Sequence, residues 1–428
     1  MTSPLLLWAS PATVLGEGWE SVPNPAGWAW DHGLNIQRRE DVFRAEGFDI
    51  SSLMPPAVVT YYVKIGGSDA ADGLTWGTAF ATLGVALAKA DVDRIYIQGP
   101  ATFTRLGGWN DVDLTRSCSI IGVGGQVILS TQVVGIVWSL TAGQTYTYEG
   151  TRSNVQGVFD RLTLDANGDY TKYSNQSSIA TVEATPGSWW QSGTTLYIHQ
   201  PDNRAPDSDV FVSLIQYNGD CIGNITIYLE NLTFEGGIAA FRFRNSLAGQ
   251  TPKLYAKNCK FKHATNGNGL TLTGITTAIL QSCEAAANLA DGFNYHILNS
   301  VAPRAIEIDC IGRDNGLTAS DTDNGSSCHD GGSVIRLNGQ YHGCKGPNVV
   351  EDGALESWNL GVDAYDSNAG AAGQNADFLC GTSGVMWLDR CRSYGSINGI
   401  VAGSGTTIHK RKCSTVVADS GSGTIDSY

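Results

Sequence analysis

The feature that most constrains this chain is a set of short apolar segments that recur from about residue 220 onward. Segments 225–228, 254–256, 277–280, 305–308, 334–337 and 385–388 are built largely from Ile, Leu, Val and Ala. Most are soon followed by a cysteine: Cys259, Cys283, Cys310, Cys344, Cys391 and Cys413 lie at intervals of 24, 27, 34, 47 and 22 residues. The longest interval spans two repeats, with Tyr365-Asp366-Ser367 where a cysteine would fall, and the 34-residue interval holds an inserted loop. A repeat of roughly 20–30 residues carrying two or three short strands predicts the coil of a β-solenoid. Equivalent residues of successive coils stack about 4.8 Å apart. The cysteines therefore read as a column of small, buried, free thiols, with disulfides as the alternative. Asn266, Asn288, Asn315, Asn348 and Asn398 recur at expected corners, where Asn tolerates left-handed backbone.

Composition agrees with many strands joined by tight turns. Of 428 residues 52 are glycine, and only 16% are charged, against about 25% in an ordinary globular protein. A formal charge of −14 leaves no basic face for phosphates, which excludes a general nucleic-acid binder and disfavours an anionic membrane surface. A neutral or cation-bridged sugar polymer remains compatible. Ten cysteines are too sparse for a small disulfide scaffold. Leu5-Leu6-Leu7-Trp8 has no basic residue before it and is shorter than a signal peptide's apolar core. No stretch approaches the ~18 apolar residues of a membrane span. The expectation is a protein without membrane insertion, made and assembled in a cytoplasm.

Residues 1–57 hold four of the eleven tryptophans, Trp8, Trp19, Trp28 and Trp30, interleaved with Pro4, Pro11, Pro23 and Pro25. Proline interrupts regular elements and tryptophan anchors interfaces. This region reads as an irregular N-terminal docking arm, the alternative being a wrap on the chain's own domain. Residues 58–134 are expected to form a cap and the first coils. A strand at 58–63 precedes a helix over 78–90, in which Phe80, Leu83, Leu87 and Ala90 make one apolar stripe; strands follow at 94–98, 118–122 and 127–130. A cap is expected because a bare terminal coil exposes unpaired edges. The rhythm breaks at 135–215, where 145–148 and 194–199 alternate, predicting an inserted β-rich subdomain that carries Trp189 and Trp190. The main solenoid occupies 216–415, and 416–428 is a loose tail.

The segment YYVKIGGSDAADGLTWGTAFATLGVALAKA (61–90) resembles the opening of pectate-lyase-like right-handed parallel β-helix proteins, of the kind found in bacteriophage tailspikes, head spikes and fibres. The match lies on Tyr62, Val63, Gly67, Ser68, Asp69, Asp72, Gly73, Thr75, Thr78, Ala79, Thr82 and Ala86. Segment 189–208 resembles a hairpin common in the same proteins, and the likeness extends over roughly 58–415. It implies an all-β, right-handed parallel β-helix with an N-terminal capping helix. It is weaker for activity, because this fold hosts lyases, hydrolases, epimerases and adhesins. The arm resembles the particle-anchoring segment of phage spikes. Together these imply a virion-associated spike or fibre that binds host cell-surface polysaccharide, attaches to capsid or tail proteins through its arm, and either stays single or forms a homo-oligomer. A capsule-depolymerising lyase or hydrolase is the alternative.

Cleavage of a polysaccharide requires two carboxylates about 5–9.5 Å apart in a hydrolase, or a base with Ca2+ or Arg beside it in a lyase. Such groups are densest in 288–356. Asp321, Asp323, His329 and Asp330 fall on the loop predicted at 317–332 and are the candidate catalytic residues, since a loop that interrupts a regular solenoid often carries function. Asp291, His296, Asp314, Arg336, Glu351 and Trp358 are the candidate substrate-binding residues, with Trp189 and Trp190 on the subdomain. The alternative for the loop is a self-bonded polar turn holding one Ca2+ ion. Asp321-Thr322-Asp323 and Arg336-Leu337-Asn338 only faintly echo the polygalacturonase pattern, and no phosphate loop, nucleophile elbow or zinc pattern is present.

Overall fold

The computed structural model describes residues 18–104, 113–317, 322–353, 355–371 and 373–428. Each repeat is one coil of a parallel β-solenoid. A strand of a twelve-stranded sheet (sheet 1) leads into a strand of a ten-stranded sheet (sheet 2) and then into one of a second ten-stranded sheet (sheet 3). In one coil these are Lys253–Lys257, Lys260–Lys262 and Leu270–Thr273. All six apolar segments legible in the sequence belong to sheet 1, as Thr226–Glu230, Lys253–Lys257, Thr277–Gln281, Arg304–Ile308, Ser333–Leu337 and Val385–Asp389. Side chains alternate across each strand. Leu254 and Ala256 thus enter the lumen core, while Tyr255 packs on the outer face.

The corner between sheets 1 and 2 is left-handed in eight successive coils. Asn231, Asn258, Ser282, Asp309, Asn338, Gly361, Arg390 and Lys412 have φ between 51° and 61°. The asparagines expected to adopt this conformation do not have positive φ. Asn288, Asn315 and Asn348 lie instead on the connection from sheet 2 to sheet 3, where their amides bond neighbouring coils. Asn288 Nδ2 donates to Asn315 Oδ1 at 2.9 Å, and Asn348 Nδ2 to Asp377 Oδ1 at 3.2 Å. The position after each left-handed corner is the thiol column, read in order as Leu232, Cys259, Cys283, Cys310, Gly339, Val362, Cys391 and Cys413. Cys344 lies outside it, beyond the sheet 2 strand Gln340–His342. All ten cysteines are free, and nine are buried. The extra length near residue 320 is real but sits between sheets 2 and 3, where Asp314 to Gly325 separate the strands Ile311–Arg313 and Ser326–His329.

The first helix is shorter than its apolar stripe implied and spans only Leu83–Leu87. Phe80 is withdrawn from it by pairing, since its N–H donates to Tyr62 O at 2.9 Å and its carbonyl accepts from Lys64 N at 3.0 Å. Leu83, Ala86 and Leu87 nonetheless pack into the lumen core beside Val63. Residues 131–218 are inserted between the sheet 2 strand Val127–Ser130 and the sheet 3 strand Gly219–Ile222. They form a five-stranded and a three-stranded sheet around their own core. Asp169, 1% exposed, fixes the insertion to the solenoid by pairing with Lys262 and Arg313 on sheet 2, and the Tyr170 ring stacks on His263 at 4.5 Å.

The described part of the N-terminal region is a wrap, not an irregular arm. Glu20–Ser21, Ile36–Arg39 and Val42–Ala45 form an antiparallel sheet. Trp28 lies 6.0 Å from Trp358 and 5.8 Å from Trp387, ring centre to ring centre, over the outer face of sheet 1. Asn338 clamps the wrap by accepting from Phe43 N at 3.0 Å and donating to Phe43 O at 2.8 Å. The apolar outer residues Ile306, Ile335 and Leu337 explain this choice, because an uncovered apolar sheet face costs solvation free energy. Trp8 lies outside the described residues. Among the described residues no helix is long and apolar enough to cross a membrane.

Candidate functional site

Strand alternation divides the acidic and basic residues of 288–356 into two groups. Glu307, Arg336 and Glu351 point into the lumen and are fully buried. Arg336 Nε donates to Ser326 Oγ at 3.0 Å; its guanidinium pairs with Glu351 and lies 3.6 Å from Glu307. Glu307 accepts from Tyr341 at 2.6 Å, Ser326 at 2.7 Å and Tyr295 at 3.0 Å. Burial pushes the Glu351 carboxyl above its ordinary value, against the pull of Arg336. Arg336 and Glu351, expected to bind substrate, therefore cannot touch a saccharide at the surface. Trp358 is excluded for a related reason: it is 0% exposed beneath the N-terminal wrap.

The second group reaches the outer face of sheet 3. On the strands Phe293–His296 and Ser326–His329, Phe293, Tyr295 and Cys328 enter the lumen, which turns Asn294, His296, Ser327 and His329 outward. Asp291, just before the first strand, accepts from Asn294 Nδ2 at 2.6 Å, Ser327 Oγ at 2.8 Å and Asn324 N at 2.7 Å. Only 7% of Asp291 is exposed, and burial raises its carboxyl above the ordinary value despite these donors. Among the described residues Asn294 Oδ1 has no hydrogen-bond partner, although it is buried. Two residues along, His296 Nδ1 and Asp330 Oδ2 are 2.8 Å apart, and the His296 and His329 rings stack at 4.4 Å. Burial and the neighbouring His296 lower the His329 pKa, so this ring is neutral at pH 7. Residues two apart on one strand face are separated by about 6.6 Å. The face thus offers a buried carboxyl next to an exposed imidazole–carboxylate pair.

The remaining sequence candidates scatter. Asp323 is 8% exposed within its loop, and Asp321 lies outside the described residues. Asp314 serves the insertion's attachment, accepting from Arg313 Nη1 at 2.7 Å and Asn167 Nδ2 at 2.9 Å. Among the described residues no cluster of three or more His, Cys, Asp or Glu could hold a metal. Trp190 is half-buried and stacks on Tyr197 at 5.5 Å, and Trp189 is 5% exposed rather than displayed.

Trp189 does line a cleft of about 650 Å³, which sequence reasoning missed. One wall is the insertion, through Gln156, Lys172, Tyr173, Ser174 and Asn175. The other is the solenoid, through Thr265, Leu289 and Leu317, which stand on three successive connections between sheets 2 and 3. The walls meet closely: a Cβ on Gly157 would lie 2.8 Å from Thr265 Cγ2. Leu289 shares its connection with Asp291, and Leu317 shares its connection with Asn324. The cleft and the Asp291 network are therefore built on the same loops. No single sequence signal marks the cleft, because its walls come from distant parts of the chain, the insertion before residue 190 and the solenoid from Thr265 onward.

No protein-family model matches the sequence, and no curated protein is similar to it. Solved structures are similar in fold. A glycoside hydrolase aligns at 9% identity with a TM-score of 0.53, over 86% of this chain and 97% of that one. XylC in complex with xylose aligns at 11% identity with a TM-score of 0.50, over 83% and 70%. Pectate lyase Pel9A aligns at 12% identity with a TM-score of 0.46, over 86% and 78%. At these identities the likeness is one of fold, a parallel β-solenoid.

Proposed function

We propose that this protein binds a polysaccharide along the trough formed by the insertion, the three connecting loops and the outer face of sheet 3. The observation that carries the reading is the cleft. It is large enough for sugar units, it is lined by amide and hydroxyl groups over an aromatic floor, and it opens beside a polar strand face. Saccharide sites combine such polar groups with apolar ring contacts. Gln156 and Asn175 make no side-chain hydrogen bond among the described residues, so both are available to a ligand.

A second reading, depolymerisation, is favoured by one feature. Asp291 holds its proton more tightly than an ordinary carboxyl, and the His296–Asp330 pair stands on the same face. This is the kind of divided environment that separates an acid from a base. Incubation with purified capsular polysaccharides decides between the readings: retention on the polymer with no new reducing ends or unsaturated product supports binding, whereas turnover abolished by Asp291→Asn supports cleavage. Failure to bind any polysaccharide sinks both.

The role as a particle-borne spike rests on the resemblance of the N-terminal region, residues 1–57, to the particle-anchoring segment of phage spikes. Residues of 18–57 pack on the chain's own solenoid, and the attachment role is tested at residues 1–17. Deleting 1–17 should leave a folded, glycan-binding protein that no longer joins particles. Unchanged assembly would remove that role from this segment.

A further inference from the structure

The cleft contains a cation without a counter-ion. Lys172 ends the strand Tyr170–Lys172 and pairs across it with Phe159. Alternation puts Lys172 on the same face as Tyr170, whose ring lies on His263 of the solenoid, so the lysine is directed at the seam between insertion and solenoid. It lines the cleft there. Among the described residues its amine has no hydrogen bond and no ion pair. The other lysine and arginine side chains at this junction each have a carboxylate partner. Lys262 and Arg313 are taken by Asp169, and Arg161 by Glu235 at 3.0 Å. Burial alone holds Lys172 down at about 8, which leaves it largely protonated at pH 7. A half-buried ammonium with no protein partner is available to pair with an anion supplied from outside. The chain carries a net charge of −14, so a retained unpaired cation is also not explained by a generally basic surface.

We propose that the cleft selects acidic sugar units, with the carboxylate of a uronate- or sialate-type residue accepting from Lys172 Nζ. Gln156 and Asn175 supply neutral donors beside it, and Trp189 and Tyr173 form the floor. The inference rests on the glycan-binding reading and adds the charge of the sugar. A charge-assisted hydrogen bond in a partly desolvated site is stronger than a neutral one, so an acidic unit gains over its neutral counterpart.

The test is calorimetric titration of the full chain with hyaluronan octasaccharide and with an α2,8-sialic acid oligomer, each also in carboxyl-reduced form. The expected result is that at least one acidic probe binds and that its reduced form binds about tenfold more weakly. Lys172→Met should remove that preference without weakening the reduced form, and Lys172→Arg should restore most of it. Tryptophan fluorescence of the variants checks that the insertion remains folded. Equal affinity for acidic and reduced probes, or a preference that survives Lys172→Met, overturns the acidic-sugar inference while leaving glycan binding intact. Binding of neutral probes or capsules but of neither acidic probe overturns it as well. Absence of binding to every saccharide defeats the glycan reading itself.

Discussion

The lumen cluster of Glu307, Arg336 and Glu351 and the outer cluster of Asp291, His296, His329 and Asp330 use similar residue types on neighbouring coils, yet they answer to different physics. Inside, one guanidinium lies between two carboxylates, and three hydroxyl groups donate to Glu307. Charge there is tolerated only because it is paired. Outside, charge is graded from the enclosed Asp291 to Asp330, whose side chain is 59% exposed. The difference is one residue of strand parity. Arg336 and Ile335 are adjacent, but one belongs to the lumen and the other to the face beneath the N-terminal wrap.

The sharpest way to break this comparison is to remove the lumen cation. Arg336→Ala leaves two buried carboxyls without a counter-charge and should cost about 3–5 kcal/mol of stability, read from the urea midpoint. Saccharide affinity of the remaining folded protein should be unchanged, because the cluster does not reach the trough. A loss of affinity at full stability would mean that the two clusters are not separate.

A smaller effect comes from Asp377, a buried carboxyl that has neutral donors and no cation. It accepts from Ser393 Oγ at 2.7 Å, from Ser396 Oγ and from Asn348 Nδ2 at 3.2 Å. Burial raises its pKa to about 7. The folded state holds this proton more tightly than the unfolded state, so its contribution is complete below about pH 4 and declines as pH rises toward 7. That displacement is worth at most about 4 kcal/mol. Asp377→Asn should flatten thermal stability between pH 4 and 7. An unchanged slope would show that other groups dominate the titration.

The smallest effects on stability belong to the outer face. Asp330→Asn, at an exposed position, should change stability by less than about 0.5 kcal/mol. It should weaken saccharide binding about threefold to tenfold if the His296–Asp330 pair contacts the polymer. Unchanged affinity would confine the ligand to the cleft.

The solenoid was legible because its signal is local and repeated. Six sheet 1 strands, and the thiols Cys259, Cys283, Cys310 and Cys391 that follow four of them, are readable directly from the sequence. Asparagine marks only three of the eight left-handed corners, Asn231, Asn258 and Asn338, whereas Asp309, Arg390 and Lys412 hold the same φ under the constraint of stacking. Helix length was overread at Phe80, where strand pairing overrides an apolar period. Of the candidate site, Asp291, His296, His329 and Asp330 come together as a sequence cluster would suggest. Arg336, Glu351 and Trp358 do not, because enrichment in charge or aromatics does not reveal which side of a strand is wet. Lys172 carried no signal at all, since its isolation depends on where the insertion docks.

The proposed function places polysaccharide in the trough between the insertion and sheet 3. Hydrogen exchange with and without a bound capsular polysaccharide checks this placement. Added protection is expected in 172–175, 263–269, 287–296 and 322–330, with none on the outer face of sheet 1. Protection confined to sheet 1 or sheet 2, or tight binding with no protection in these segments, would contradict it.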